Sequence, residues 1–305
     1  MIVLAVSVMA ACSTDRDPSE LFAPADVGRV VVDAVLIVDE PLPGLFLSRT
    51  LSPGEPYTRE RAALSDASVS ITSSTSSSVY RESPTVPGFY TPAIASLVLP
   101  QEEYALTVVT AEGERVTAVT RTPPPFSVND WVLLDDRGET IRRSLRTFDE
   151  LGDSVYYAPE NQLVYSDGLF EARITLNAAV PAYQVGLFSL DLDSDFVIDP
   201  EFLEDEDFEE FDRSVSSPAF TATDGRVRLP WFAIYFQERY KTKIYALDQN
   251  WYDLIRSTPE GGGGFGIGGE IGDNFERPIF NIHGGIGLFG SASVDSVGFF
   301  VLPRP

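Results

Sequence analysis

The chain has 305 residues, 46 acidic against 22 basic, one histidine and one cysteine, for a formal net charge of −24. At 44% hydrophobic and 11% aromatic it has the composition of a folded protein and not of a disordered one. So acidic a balance argues against nucleic acid and anionic lipid surfaces as partners, and a single cysteine rules out an intrachain disulfide or a cysteine-rich metal site.

The first dozen residues carry the strongest local signal. Ile2 to Ala11 is an apolar run that ends on Met9, Ala10 and Ala11 before Cys12. Ten residues are about half of what a spanning helix needs, so residues 1–11 fit the apolar core of a signal peptide. Cys12 would then be acylated and become the mature N-terminus, held firmly because two or more acyl chains anchor stably. No Lys or Arg precedes the run, which departs from the usual charged start. The competing reading is a buried N-terminal strand with a free thiol; Asp15, Arg16, Asp17, Pro18 and Ser19 follow at once and do not suit it. Residues 12–27 are polar, aperiodic and hold Pro18 and Pro24, as a flexible tether does.

From Gly28 the pattern changes to short β-rich runs. Arg29 to Val38 is almost wholly aliphatic; Ala67, Val69 and Ile71 alternate with polar neighbours, Tyr104, Leu106 and Val108 with smaller or polar ones, and Val116 to Thr120 follows a Glu-Gly-Glu turn. Period-two runs divided by Gly, Pro and Ser turns predict an Ig-like or prealbumin-like β-sandwich over 28–122. The Ser-rich run Thr72 to Ser78 suits a solvent-facing hairpin tip. Pro123, Pro124 and Pro125 cannot continue a ladder, so 123–126 is predicted to be a linker, and 127–305 a larger antiparallel β domain with one or two short helices.

Within 127–305, Phe170, Ala172, Ile174 and Leu176 alternate with polar residues, and Tyr183 to Leu190 is predicted to pair with them across an Asn177 to Ala182 turn. Arg226 to Gln237 and Lys241 to Asp248 are predicted to be a second antiparallel pair, with Pro230 marking an edge or a bulge. Asp248 is placed to N-cap a helix over Gln249 to Ser257, with Trp251, Leu254 and Ile255 inward. Gly298 to Leu302 is predicted to be the closing strand.

Few residues invite chemistry. His283 is the sole histidine, no G-x-S-x-G elbow exists to serve it, and one histidine and one cysteine are too few for a zinc site of the usual kind. Two stretches spell G-x-G-x-x-G, at 264–269 and 285–290. Neither has the strand before and helix after that a dinucleotide site requires, so their glycines are expected to serve positive φ angles or close backbone approach in loops. Asp191 to Asp212 holds 12 carboxylates and no base in 22 residues, half of the net charge. Asp191, Asp193, Asp195 and Asp199 space oxygens as calcium loops do, although Phe196 stands where a turn glycine belongs and Phe202 where the closing glutamate belongs. A solvated acidic loop fastened by Phe196, Phe202, Phe208 and Phe211 is the plainer alternative. Trp131, Trp231 and Trp251 suit stacking on a sugar, but equally the core of a β-rich domain. No catalytic residues and no cofactor other than calcium are expected.

Asn281-Ile282-His283-Gly284-Gly285-Ile286-Gly287-Leu288-Phe289-Gly290 resembles the closing motif of the Bacteroidota outer-membrane lipoproteins grouped as domain of unknown function 4249. Asp66-Ala67-x-Val69-x-Ile71, Pro87-Gly88-Phe89-Tyr90, and Lys243 to Asp248 with Trp251-Tyr252 resemble earlier parts of that family. The resemblance spans nearly the whole mature chain, carries no catalytic residues, and leaves the acidic run outside the family pattern. It implies an accessory lipoprotein of a TonB-dependent receptor. The expected function is thus non-enzymatic binding at the outer membrane, anchored through Cys12 and facing the cell surface or the periplasm. A calcium-stabilised surface adhesin and a polysaccharide hydrolase with paired carboxylates are the alternatives.

Overall fold

The computed structural model describes residues 27–52, 54–197, 212–258 and 278–304. Residues 1–26, with Cys12, lie outside that set, as do 198–211, with Asp199, and 259–277, with the first glycine motif. The fold is mainly β with a few short helices.

Seven strands come first: β1 Val30–Ile37, β2 Leu45–Arg49, β3 Ser68–Thr72, β4 Ser77–Glu82, β5 Phe89–Pro92, β6 Glu103–Val109 and β7 Arg115–Arg121, with one helical turn, α1 Arg59–Ala62, before β3. Then follow β8 Val128–Leu134, β9 Ile141–Ser144, α2 Phe148–Leu151, β10 Gln162–Val164, β11 Leu169–Ile174, β12 Tyr183–Ser189, β13 Ser214–Ser216, β14 Arg226–Leu229, β15 Glu238–Leu247, α3 Gln249–Ser257 and β16 Gly285–Leu302. Among the described residues no helix is long and apolar enough to cross a membrane.

Alternation decides the faces. In β1, Val30, Val32, Ala34 and Leu36 are buried while Asp33 is exposed, and β3, β6 and β7 alternate in the same way. The strands join in the order β16-β1-β2-β5-β4-β3-β6-β7. The sheet curls until Thr117 on β7 meets His283, just ahead of β16; the two exchange backbone hydrogen bonds of 3.0 and 2.8 Å. Its interior holds Leu36, Leu47, Ile71, Tyr90, Tyr104, Leu106 and Phe289. Each is worth about 1.5–3 kcal/mol of apolar burial. Tyr90 keeps its hydroxyl satisfied there, donating to Leu64 O at 2.9 Å and accepting from Ala67 N at 3.0 Å.

The second half of the chain makes two stacked layers. One continues the large sheet, in the order β13-β12-β15-β16 with β10 alongside β16; the other is antiparallel, in the order β14-β11-β8-β9. Between them lie Trp131, Phe170 and Ala172 from the small sheet and Tyr183, Ile244 and Phe299 from the large one.

β16 belongs to both halves. Its 18 residues, at about 3.3 Å each, run on the order of 60 Å. Gly285 to Ala292 pair with β1, in parallel, and Ala292 to Val301 pair with β15, antiparallel. Ser293 Oγ also donates to Pro124 O at 2.7 Å, which ties the proline segment to the middle of the strand.

Several expected pairings differ. The closing strand begins at Gly285, not Gly298, and the Gly285–Gly290 motif is strand, not loop. Close approach still explains its glycines: a Cβ at Gly287 would sit 2.0 Å from Val32 O, and its φ is 108°. Within the large sheet β16 lies parallel to β1 and β10, where antiparallel pairing alone was expected. β12 does not pair with β11. The chain between them, with Pro181, crosses from one layer to the other, so both strands bury alternate residues in the same core from opposite sides. Nor do β14 and β15 pair. Pro230 ends β14 for lack of an N–H, a 3-10 turn follows at Trp231–Ala233, and the chain moves to the large sheet. Two expectations on this stretch match closely: β14 is an edge strand, and Asp248 caps α3 by accepting from Trp251 N at 2.9 Å.

Candidate functional site

The seam between the two layers is open at one end. β13 has three residues and ends the large sheet; β14 has four and ends the small one. Both are amphipathic. Val215 turns toward the core between exposed Ser214 and Ser216, and Val227 and Leu229 are buried between exposed Arg226 and Arg228. The chain joining the edges is fixed to β12: Ser217 N donates to Val185 O at 2.8 Å, and Phe220 and Tyr183 exchange backbone bonds of 2.8 and 2.9 Å.

What remains between the edges is an apolar cleft of about 420 Å³, walled by Val185, Leu187, Val215, Phe220 and Val227, with Phe232 half exposed at its mouth. That volume lies in the range of small-molecule and peptide pockets. Among the described residues its charged lining residues are Arg226 and Arg228, and none of them is a carboxylate. Arg228 Nε lies 3.4 Å from Glu171. Among the described residues no acid comes within ion-pair distance of Arg226.

Buried carboxylates elsewhere are taken up by the fold. Glu171, wholly buried, also meets Arg173 at 3.3 Å. Asp248 accepts from Trp251 N and, at 2.5 Å, from Thr120 Oγ1, which is also 3.0 Å from Ser291 Oγ. Burial raises the Asp248 pKa despite these bonds. Half-buried Asp295 accepts from Val128 N at 2.6 Å, and its partial burial raises its pKa too. A second, polar cavity of about 310 Å³ lies beside Asp248, between Pro123–Pro124 and Ala178–Pro181, with Arg121 and Gln249 on its walls.

Three of the four acidic residues singled out by spacing lie among the described residues. Asp191 gives its carboxylate to Arg239, accepting from Arg239 N at 2.9 Å and from Nε at 3.0 Å; this pairing holds its pKa below the usual carboxylate range. Asp193 and Asp195 are exposed, and Asp199 lies outside the described residues. Among the described residues no three His, Cys, Asp or Glu side chains are grouped to hold a metal. Phe196 packs against Phe236 in a tilted pair with centroids 4.9 Å apart, and Arg213 lies 4.0 Å over the Phe236 ring, so this end of the acidic run is fastened by an aromatic contact. Trp131 is core, Trp231 donates Nε1–H to Gly168 O at 2.7 Å, and Trp251 packs against Tyr245. The His283 side chain is exposed while its backbone bridges β7.

The cleft was not legible as a site. Its R-V-R-L strand shows the right alternation, but nothing in sequence sets β13 opposite β14 across a seam. The closing motif is legible in outline, and its first residue braces the strand that follows. Asn281 Nδ2 donates to Phe289 O at 2.7 Å, and Asn281 Oδ1 accepts from Phe289 N at 3.0 Å.

No curated relative matches the chain. A family model described as a domain of unknown function, DUF4249, matches residues 17–297, nearly the full length, and the chain belongs to that family.

Proposed function

We propose that this protein is a non-catalytic binding subunit, held at the outer membrane by lipid on Cys12, that serves a TonB-dependent nutrient transporter as an accessory. The observation that carries the reading is the open apolar cleft between β13 and β14. It exposes a preformed apolar surface, as partner and ligand sites do, and among the described residues its charged lining is arginine, with no facing acids. A hydrolase acting through paired carboxylates needs two of them across its cleft; here buried Glu171 and Asp248 and half-buried Asp295 are engaged in ion pairs and hydrogen bonds of the fold. The signal-like run before Cys12 supports the anchor.

The test is affinity purification of the full chain from native membranes in mild detergent, with Cys12→Ala as control. The expected result is a co-purifying transporter barrel, lost when Cys12→Ala releases the protein from the membrane fraction. Recovery of the full chain without any barrel would remove the accessory role, and an unchanged membrane fraction for Cys12→Ala would remove the anchor.

A further inference from the structure

We propose that the cleft receives an extended peptide segment of a partner protein, added as a strand to the free edge of β13. Its apolar side chains would enter between Val215 and Val227, and an acidic side chain would lie beside Arg226. This rests on the cleft being a partner site, as proposed above, and specifies the chemistry of the occupant.

The main-chain pattern fixes which groups are free. In an antiparallel pair, alternate residues turn both N–H and C=O to the same side. Ser189 N donates to Arg213 O at 2.7 Å and Ser217 N to Val185 O at 2.8 Å, so 213, 215 and 217 face β12. Ser214 and Ser216 therefore present their backbone groups away from it, toward the seam. On β14, Ile174 N donates to Gly225 O at 2.8 Å, which turns 225, 227 and 229 toward β11 and leaves 226 and 228 facing outward. Arg226 N is already met by Asp224 Oδ1 at 3.1 Å, so β13 has the cleaner free edge.

Dimensions and charge agree. Stacked sheets lie about 10 Å apart and paired strands about 4.8 Å apart, so a seam between two sheet edges has room for one more strand. An added strand alternates its side chains, apolar into the cleft and polar outward, which sets an acidic side chain on the Arg226 side. In a chain of net charge −24, a cleft whose charged lining, among the described residues, is two arginines selects an acidic segment over a basic one. Strand addition of this kind draws affinity from main-chain bonds and specificity from alternate side-chain pockets.

The experiment uses the full chain and a fluorescein-labelled peptide, Thr-Val-Asp-Val-Asp-Val-Thr, followed by anisotropy. Saturable binding is expected, weakened at least about tenfold when both Asp are replaced by Lys or in Arg226→Glu. Ser216→Pro removes an outward N–H but no bond to β12, as an edge proline can, and is expected to weaken binding by a similar factor. Should Ser216→Pro fail to fold, N-methylation of alternate peptide residues on the wild-type protein gives the same reading: one set abolishes binding and the other does not. Absence of binding at millimolar peptide, equal binding of the Lys peptide, or indifference to both N-methyl sets overturns the proposal. Peptide binding without a co-purifying barrel would leave strand addition standing and remove the transporter role; a barrel without peptide binding would do the reverse.

Discussion

Asn281 holds both sides of the Phe289 backbone, its Oδ1 accepting from Phe289 N at 3.0 Å and its Nδ2 donating to Phe289 O at 2.7 Å. The amide thus substitutes for a neighbouring strand at the point where β16 enters the first core, with Phe289 wholly buried. Asn250 on α3 donates to the same carbonyl at 3.3 Å and to Val119 O at 2.9 Å, so helix, β7 and β16 meet at one pair of asparagines.

Asn281→Ala should therefore strand the Phe289 N–H and weaken the bonding of its carbonyl. Part-buried backbone groups left unpaired cost about 1–3 kcal/mol, and a loss of that size in urea unfolding is the expected outcome. Asn281→Asp keeps the acceptor but turns a carboxylate toward the carbonyl oxygens of Phe289 and Val119, to which the amide donates at 2.7 and 3.3 Å, and should cost no less. A midpoint unchanged in both variants would show that the asparagine bonds contribute nothing.

The glycines of the closing motif differ from ordinary turn glycines. Gly287 has φ 108° and no room for a Cβ, which would meet the Val32 carbonyl oxygen at 2.0 Å. Gly113 has φ 87° with nothing within 4 Å. Gly113→Ala should cost only the backbone term of about 1–2 kcal/mol. Gly287→Ala has to break the β1–β16 register and is expected to abolish soluble expression or lower the melting temperature far more than Gly113→Ala does. Equal shifts in the two melts would contradict this.

Asp248 and Asp191 titrate with opposite consequences. Burial raises Asp248 above its ordinary 3.8, so the folded state binds that proton more tightly than the unfolded chain does. Its contribution is complete below 3.8 and is lost as pH climbs through the raised value. Asp191 is lowered, first by its hydrogen bond from Arg239; its contribution is present above 3.8 and is lost as pH falls through the depressed value. Asp248→Asn retains the capping oxygen. As pH rises above 3.8 its stability should change more favourably than that of the wild type. Asp191→Asn should lack the gain that the wild type shows as pH rises toward 3.8 from below. Urea midpoints across these ranges decide the signs.

Much of the fold is written locally. Alternation identified β3, β6 and β11, the aliphatic run of 29–38 identified β1, the turn before Val116 identified β7, and Asp248 ahead of Trp251 identified the start of α3. Partners were another matter. Phe170–Ala172–Ile174 and Tyr183–Val185–Leu187 show the same period whether they pair in one sheet or face each other across a core, and only the path of the chain through Pro181 separates these outcomes. The cleft was hidden for the same reason, since an edge strand differs from a central one by what does not lie beside it. Gly285, Gly287 and Gly290 read as loop because glycine is rare inside strands; what placed them there is the near approach of Val30 to Gly285, of Val32 to Gly287, and of Leu288 and Trp251 to Gly290.

The sharing of β16 gives the most demanding prediction. A break at Pro123–Pro125 suggests that 27–126 is independent, yet its sheet runs from β7 to the first half of β16, and its core includes Ile282 and Phe289. Without them β1 has a bare edge of main-chain groups, and the core loses a wholly buried phenylalanine, worth about 3–5 kcal/mol when truncated to Ala, a large part of what a domain this size has to spare. A fragment of 27–126 should stay unfolded or aggregate, with poorly dispersed amide resonances. Joining 279–293 to it through a glycine-serine linker long enough to pass from β7 to β1 should restore a cooperative melt, because that piece supplies Asn281, the His283 bridge to Thr117 and the parallel partner of β1. Cooperative folding of 27–126 alone would mean that the strand is a tether between two finished domains and not a shared part of both.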